Sequence, residues 1–174
     1  GVAQHRALDL RDQGGGGFQM LPPDLKVEAQ PQLGRADLGL HAIRLALRAY
    51  DERALGSSLT RDVMARFHDD PFDAVAWMDR ATATDYATFA PLVMRHADTG
   101  DPVARRVVRD AGEQIDELVR RLFECGATRI ALLGGLASSM QPWLSPDVQR
   151  RLVPVEGDAI DGALLLARRN CVKR

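Results

Sequence analysis

Cysteine, aromatic residues, net charge and long apolar runs are all scarce in this chain, and each scarcity excludes something. Cys125 and Cys171 are the two cysteines, and neither stands in a C-x-x-C or other metal-ligand spacing. They read as two reduced thiols, with no support for a disulfide framework. The four histidines, His5, His41, His68 and His96, include no i, i+4 pair, so no metal site is expected. Aromatic residues make up 5% of the chain, and Trp77 and Trp143 read as core or edge packing rather than stacking platforms. The net charge is −1, which gives no support for a nucleic-acid or anionic-membrane partner. Arginines cluster at Arg105, Arg106 and Arg109, at Arg120 and Arg121, and at Arg150 and Arg151, but acidic residues interleave and make these solvated helix faces. No apolar run approaches the ~20 residues of a membrane span, and no secretory pattern opens the chain, so a cytoplasmic protein is the expectation. What remains, 45% hydrophobic and 27% charged over 174 residues, is an ordinary globular composition that suits one domain or one and a half.

The most informative stretch is Ile130-Ala131-Leu132-Leu133-Gly134-Gly135-Leu136-Ala137-Ser138-Ser139. Four apolar residues in a row suit a short strand covered on both faces. Two adjacent glycines lack Cβ atoms, so another body can approach the backbone closely. Ser138 and Ser139 offer hydroxyls for the start of a helix. A flat or anionic ligand could sit on such a turn, at the carboxyl end of a strand. The plainer alternative is a strand-to-helix turn that needs glycine for its own geometry. A nucleophilic role for the serines has no Gly-x-Ser-x-Gly elbow to support it.

Residues 1–33 differ from the rest. They hold Gly14 to Gly17, the Pro22-Pro23 pair and Pro31. Three short strands, Ala7–Leu10, Phe18–Leu21 and Leu25–Ala29, are one reading, and a disordered arm is the other. From Leu38 the pattern turns helical. Leu38, Ile43, Leu45, Leu47 and Tyr50 mark a helix ending near Asp51. Leu59, Val63 and Phe67 mark a second, from Ser58 to His68, whose end with Asp69 and Asp70 reads as a polar terminus. Asp70-Pro71 starts a third, with Phe72, Val75, Ala76 and Trp77 as its apolar side. Thr82 to Ala97 reads as one helix kinked at Pro91. Gly100-Asp101-Pro102 is a helix junction: stop, N-cap and first residue. The following helix runs to about Cys125, with Val103, Val107, Val108, Ala111, Ile115, Leu118, Val119 and Leu122 as its stripe, and Gly126 closes it. Strands are expected over Arg129–Leu133 and Leu152–Val155, a short helix from Leu144-Ser145-Pro146 to Arg151, and a last helix over Gly157–Arg168. Asp158 and Asp161 stand where carboxylates favour its dipole. This order puts a parallel strand pair beneath helices.

Several of these segments together resemble the BadF/BcrA-type ATPase and N-acetylglucosamine kinase family. The run Leu40-His41-Ala42-Ile43-Arg44-Leu45-Ala46-Leu47-Arg48-Ala49-Tyr50-Asp51 is similar to the helix after its sugar-site loop. Phe89-Ala90-Pro91-Leu92-Val93 and Gly100-Asp101-Pro102-Val103-Ala104 resemble its next junctions, Ile130 to Leu136 its adenosine motif, and Val155 to Ala167 its closing helix. The resemblance spans residues 38–168. It implies an α/β, ribonuclease H-like fold of the actin-like ATPase kind, helix-rich and incomplete here, with residues 34–174 as the second, C-terminal domain after an atypical segment 1–33. It also implies that Gly134 and Gly135 line an adenosine pocket, with Leu136, Ala137 and Ser138 at its edge, and that ATP and Mg are the cofactors.

The departures from that family matter as much. The Asp-Gly-Gly-x-Thr and Gly-Thr-Gly-Ser phosphate turns are absent, and the catalytic aspartate of these kinases belongs to a first domain that this sequence does not contain. The sugar-site loop, usually Gly-Asp-Glu-Gly-Ser-Gly-x-Trp-Leu-Gly, aligns with Gln32-Leu33-Gly34-Arg35-Ala36-Asp37-Leu38-Gly39, which loses the acidic pair and the tryptophan. A truncated, frameshifted or split gene product would look like this. The expectation is therefore the nucleotide-binding half of an ATP-dependent kinase for N-acetylglucosamine or glucosamine. It would have no catalytic residue of its own, would be inactive alone, and would take adenine nucleotide and amino sugar once a first domain is supplied. The alternative is a non-catalytic helical module for self-association, a homodimer, because lost partner strands would leave apolar surface bare.

Overall fold

The computed structural model describes residues 34–155 together with 157, 160, 161, 164, 167 and 168. The three strands expected within residues 1–33 lie outside the described residues, as do His5, Cys171 and Asp158. Eight α-helices follow in order among the described residues: α1 Arg35–Tyr50, α2 Ser58–Ala65, α3 Pro71–Met78, α4 Ala83–Ala87, α5 Ala90–Asp98, α6 Pro102–Glu124, α7 Ala137–Met140 and α8 Pro146–Arg151. A 3-10 turn, Gln141–Trp143, joins α7 to the approach of α8. Of the last expected helix, Gly157 is a bend, and Ile160, Asp161, Leu164, Ala167 and Arg168 are helical; its other residues lie outside the described ones. No helix among the described residues is long and apolar enough to cross a membrane.

Helix α1 is the hub, packing against α2, α3, α4, α5 and α6. Its buried stripe is Leu38, Gly39, Ala42, Ile43 and Ala46. Small residues dominate that stripe, so neighbouring backbones come close. A Cβ on Gly39 would land on the Tyr86 carbonyl oxygen and sit 2.8 Å from its carbon. Tyr50, expected on the apolar side, is exposed. The fully buried side chains Ile43, Leu59, Val63, Val93 and Val108 come from α1, α2, α5 and α6, each worth roughly 1.5–3 kcal/mol of burial. Beside them Trp77 meets Tyr86 and Phe89 edge-on at 5.2 and 5.6 Å between ring centroids, and Phe67 stacks on Phe89 at 5.9 Å.

Three expectations need correction. The helix expected over Thr82–Ala97 is two helices, α4 and α5. Thr82 caps the first through its side chain, and Pro91 falls in the opening turn of the second, where its missing N–H leaves no bond unmade. The inward side of α3 is Ala74, with Trp77 and Met78 half-buried, while Phe72 is 82% exposed and Val75 is also exposed. The strands expected over 129–133 and 152–155 reduce to one parallel bridge, Ile130 with Leu152, closed by the Val153 N–H donating to the Ile130 carbonyl at 2.9 Å. The parallel sense is as expected. The burial on both faces is not, since Leu133 is 69% exposed. A lone bridge has no neighbouring strand to cover alternate side chains.

The helix starts follow their sequence signals. Asp70 caps α3, accepting from the Phe72 N–H at 2.8 Å, with Pro71 behind it. Gly100 adopts a left-handed φ of 91° after α5, and Gly126 one of 95° after α6. Ser145 caps α8, and its own N–H donates to Asp116 of α6 at 2.9 Å, which moors that segment. Trp143 lies against Gly112 of α6, where a Cβ would come within 2.6 Å of the Trp143 carbonyl oxygen.

Candidate functional site

The glycine turn sits where the bridged segment leaves Ile130 and enters α7. Gly134 takes φ 112°, a conformation that side chains resist, and nothing stands within 4 Å of where its Cβ would be. Its carbonyl accepts the Ala137 N–H at 3.1 Å, which closes the turn. Leu136 and Met140 anchor the turn in the main core, while Gly134, Gly135 and Ser138 are exposed and Ala137 is half-buried. Ser138 and Ser139 are not caps. Both lie inside α7, whose N-cap is Leu136 with no side-chain bond.

The close approach that the double glycine permits is made by this chain itself. Arg35, the first residue of α1, donates from Nη2 to the Gly135 carbonyl at 2.9 Å. A Cβ on Gly135 would lie 2.7 Å from Nη2 and 2.8 Å from Cζ of that guanidinium. A side chain at Gly135 would thus displace the Arg35 guanidinium from its present seat, whereas the flank at Gly134 is open. The structure thus brings two separately noted stretches together, the region of the sugar-site loop and the glycine turn. The sequence marked both but gave no sign that Arg35 joins them. A groove of about 440 Å³ lies between α5, α6, α7 and the 3-10 turn, lined by Met94, Asp98, Arg105, Ser139, Pro142 and Trp143. The Arg105 guanidinium lies 6.0 Å from the Trp143 ring centroid.

A second polar constellation was not legible in the sequence. Ser58 Oγ lies 3.2 Å from His96 Nδ1, and His96 Nε2 lies 2.8 Å from Asp62 Oδ2. The order Ser–His–Asp suggests nucleophilic catalysis, but the bonding opposes it. The Ser58 hydroxyl donates to Asp101 Oδ2 at 2.7 Å, and the Leu59 N–H donates to the same oxygen at 2.9 Å. The nearby Thr60 N–H is taken by Ser57 Oγ. An oxyanion forming at Ser58 would face a carboxylate and find its backbone donors engaged. The cluster is a junction. Asp101 Oδ1 accepts the Val103 and Ala104 N–H groups, both at 2.9 Å, so one carboxylate starts both α2 and α6. Burial pushes the Asp101 carboxyl up, but the Ala104 and Leu59 N–H groups and the Ser58 and Ser57 hydroxyls outweigh it and hold it at about 2.

The two cofactors implied by the family resemblance fit these residues unequally. An open glycine backbone at Gly134, beside a guanidinium, suits one side of a nucleotide. A metal has no such place: among the described residues there is no group of three or more His, Cys, Asp or Glu side chains.

No known protein-family profile matches the chain. Its fold matches the solved structure of a candidate N-acetylglucosamine kinase from Chromobacterium violaceum, with a TM-score of 0.71 and 39% identity, over 77% of this chain and 47% of that one. Over the matched part, the chain is similar to sugar kinases of the BadF/BadG type. It is 36% identical over 152 residues to the glucosamine kinase GspK of Vibrio cholerae serotype O1, which covers 87% of this chain and 52% of that protein. The chain thus spans about half the length of the curated relative it matches.

Proposed function

We propose that this chain is the nucleotide-binding second domain of an ATP-dependent sugar kinase that phosphorylates a hydroxyl of glucosamine or N-acetylglucosamine, and that it binds the nucleotide by itself but transfers the phosphoryl group only with a first domain supplied. The observation that carries this reading is the open, left-handed Gly134 turn with Arg35 seated on Gly135, in a chain that matches half of a glucosamine kinase. ATP, when bound, supplies the phosphoryl group. Gly134 offers bare backbone to the nucleoside, Leu136 and Met140 fix the turn in the core, and Ala137 and Ser138 form its rim. Phosphoryl transfer also needs a metal and a group that orients the acceptor hydroxyl. In this reading both come from the first domain, and the protein acts in the cytoplasm.

Calorimetric titration with MgADP tests the proposal. Saturable binding that Gly134→Val removes, with unchanged far-UV circular dichroism, is the expected result. No heat at millimolar MgADP would overturn nucleotide binding by this domain alone. Gly135→Glu is a poor probe, because a carboxylate there would meet the Arg35 guanidinium.

A second reading, self-association, rests on the exposed Phe72 and Val75 of α3. Light scattering that shows a dimer in the wild type and a monomer in Phe72→Ser would favour it.

A further inference from the structure

We propose that Arg35 reads the phosphate groups of the nucleotide, acting as the anion-specificity residue of the glycine turn. The inference rests on the nucleotide reading above and adds a residue to it. The contact spans 100 positions of sequence and joins the first residue of α1 to the turn before α7. Helix stability does not explain an arginine there, because a cation at a helix N-terminus opposes the dipole. Charge pairing does not explain it either, since Arg35 takes part in no ion pair among the described residues. Its one described polar partner is the Gly135 carbonyl.

A guanidinium carries five N–H donors in a planar fork, and that bond engages Nη2 alone. The remaining donors suit the paired oxygens of a phosphate, for which arginine is better shaped than lysine. The tether holds the fork against the turn, so less freedom is lost when an anion arrives. The two glycines divide the work: the guanidinium occupies the space a Cβ on Gly135 would take, and Gly134 leaves the neighbouring flank clear. A nucleotide on the open flank would present its phosphates beside a charge already in position. Arg35 is solvent-exposed, so screening keeps the effect modest.

The test compares ADP with adenosine on the full 174-residue chain as wild type, Arg35→Ala and Arg35→Gln. The expected result is a loss of ADP affinity of about five- to tenfold in both variants, with adenosine affinity changed less than about twofold. Glutamine keeps a polar but uncharged side chain there, so retained ADP affinity in Arg35→Gln would show that the charge is not used and overturn the proposal. Equal losses for ADP and adenosine, or tighter ADP binding on removal of Arg35, would also overturn it while leaving the nucleotide site in place. Binding of neither ligand by the wild type would overturn the nucleotide reading itself, and the role of Arg35 with it.

Discussion

The carboxylate of Asp101 reaches back 42 positions to accept the backbone N–H of Leu59, at 2.9 Å, while it caps its own helix. Two helix starts that are remote in sequence are thereby fixed to one buried charge, 6% exposed. Asp101→Asn keeps the shape but turns an NH2 toward N–H groups that need an acceptor. The expected cost is about 2–3 kcal/mol, with Tm lower by roughly 5–10 °C. Urea and thermal denaturation would measure it, and a change below about 0.5 kcal/mol would mean that water replaces the carboxylate without loss.

The same group sets a pH dependence. Its folded pKa of about 2 lies below the ordinary 3.8. The stabilisation is therefore fully present above pH 3.8 and disappears as pH falls through about 2. The depression is worth about 2 kcal/mol at 1.36 kcal/mol per pH unit. Urea titrations between pH 2 and 6 should show wild-type stability falling over that window, with a shallower fall in Asp101→Asn.

Two glycines are predicted to refuse alanine for steric reasons alone. In Gly39→Ala the added methyl meets the Tyr86 carbonyl, and in Gly112→Ala it comes within 2.6 Å of the Trp143 carbonyl oxygen. Both obstacles are backbone and cannot swing aside. A loss of about 1–3 kcal/mol is expected for each. Only Gly112→Ala should shift the emission of Trp143, which a Trp77→Phe background would isolate. Wild-type stability in Gly39→Ala would show that α1 and α4 are not packed as described.

Burial and mere hydrophobicity can be separated by one pair of variants. Val93 is fully buried between α1, α2 and α6, whereas Phe72 is 82% exposed. Val93→Ala should cost about 1–3 kcal/mol, and Phe72→Ser should stay within roughly 0.5 kcal/mol despite the larger change in side chain. Equilibrium unfolding of both variants decides this, and a large cost at Phe72 would mean that a partner covers α3.

Much of the helical body was legible because its punctuation is local. Asp70-Pro71, Gly100-Asp101-Pro102 and Ser145-Pro146 each carry a cap and a first-turn proline within two or three residues. Which face turns inward was less legible. On α3 the periodicity favoured Phe72 and Val75, but Ala74 is the buried residue, because close helix packing there prefers a small side chain. The strand-like run Ile130–Leu133 has the composition of a covered strand, and composition cannot supply the neighbours that would cover it. At the candidate site, the glycines were visible as a motif, but Arg35 was not. Its contact with Gly135 depends on the path of α1, and no spacing rule links positions 100 residues apart. The Ser58–His96–Asp101 junction was hidden for the same reason, although Asp101 itself was identified as a cap.

Because α1 touches five other helices, its apolar stripe meets the last of its partners, α5 and α6, late in synthesis. Once Leu38, Ala42 and Ile43 have left the exit tunnel, the ribosome must add about fifty more residues before Val93 of α5 emerges to cover them. At ~5–20 residues per second that interval lasts on the order of several seconds. During it, the central helix has α2 to pack on but still lacks α5 and α6. That is the stage at which a chaperone, or a second nascent chain on the same message, would find it.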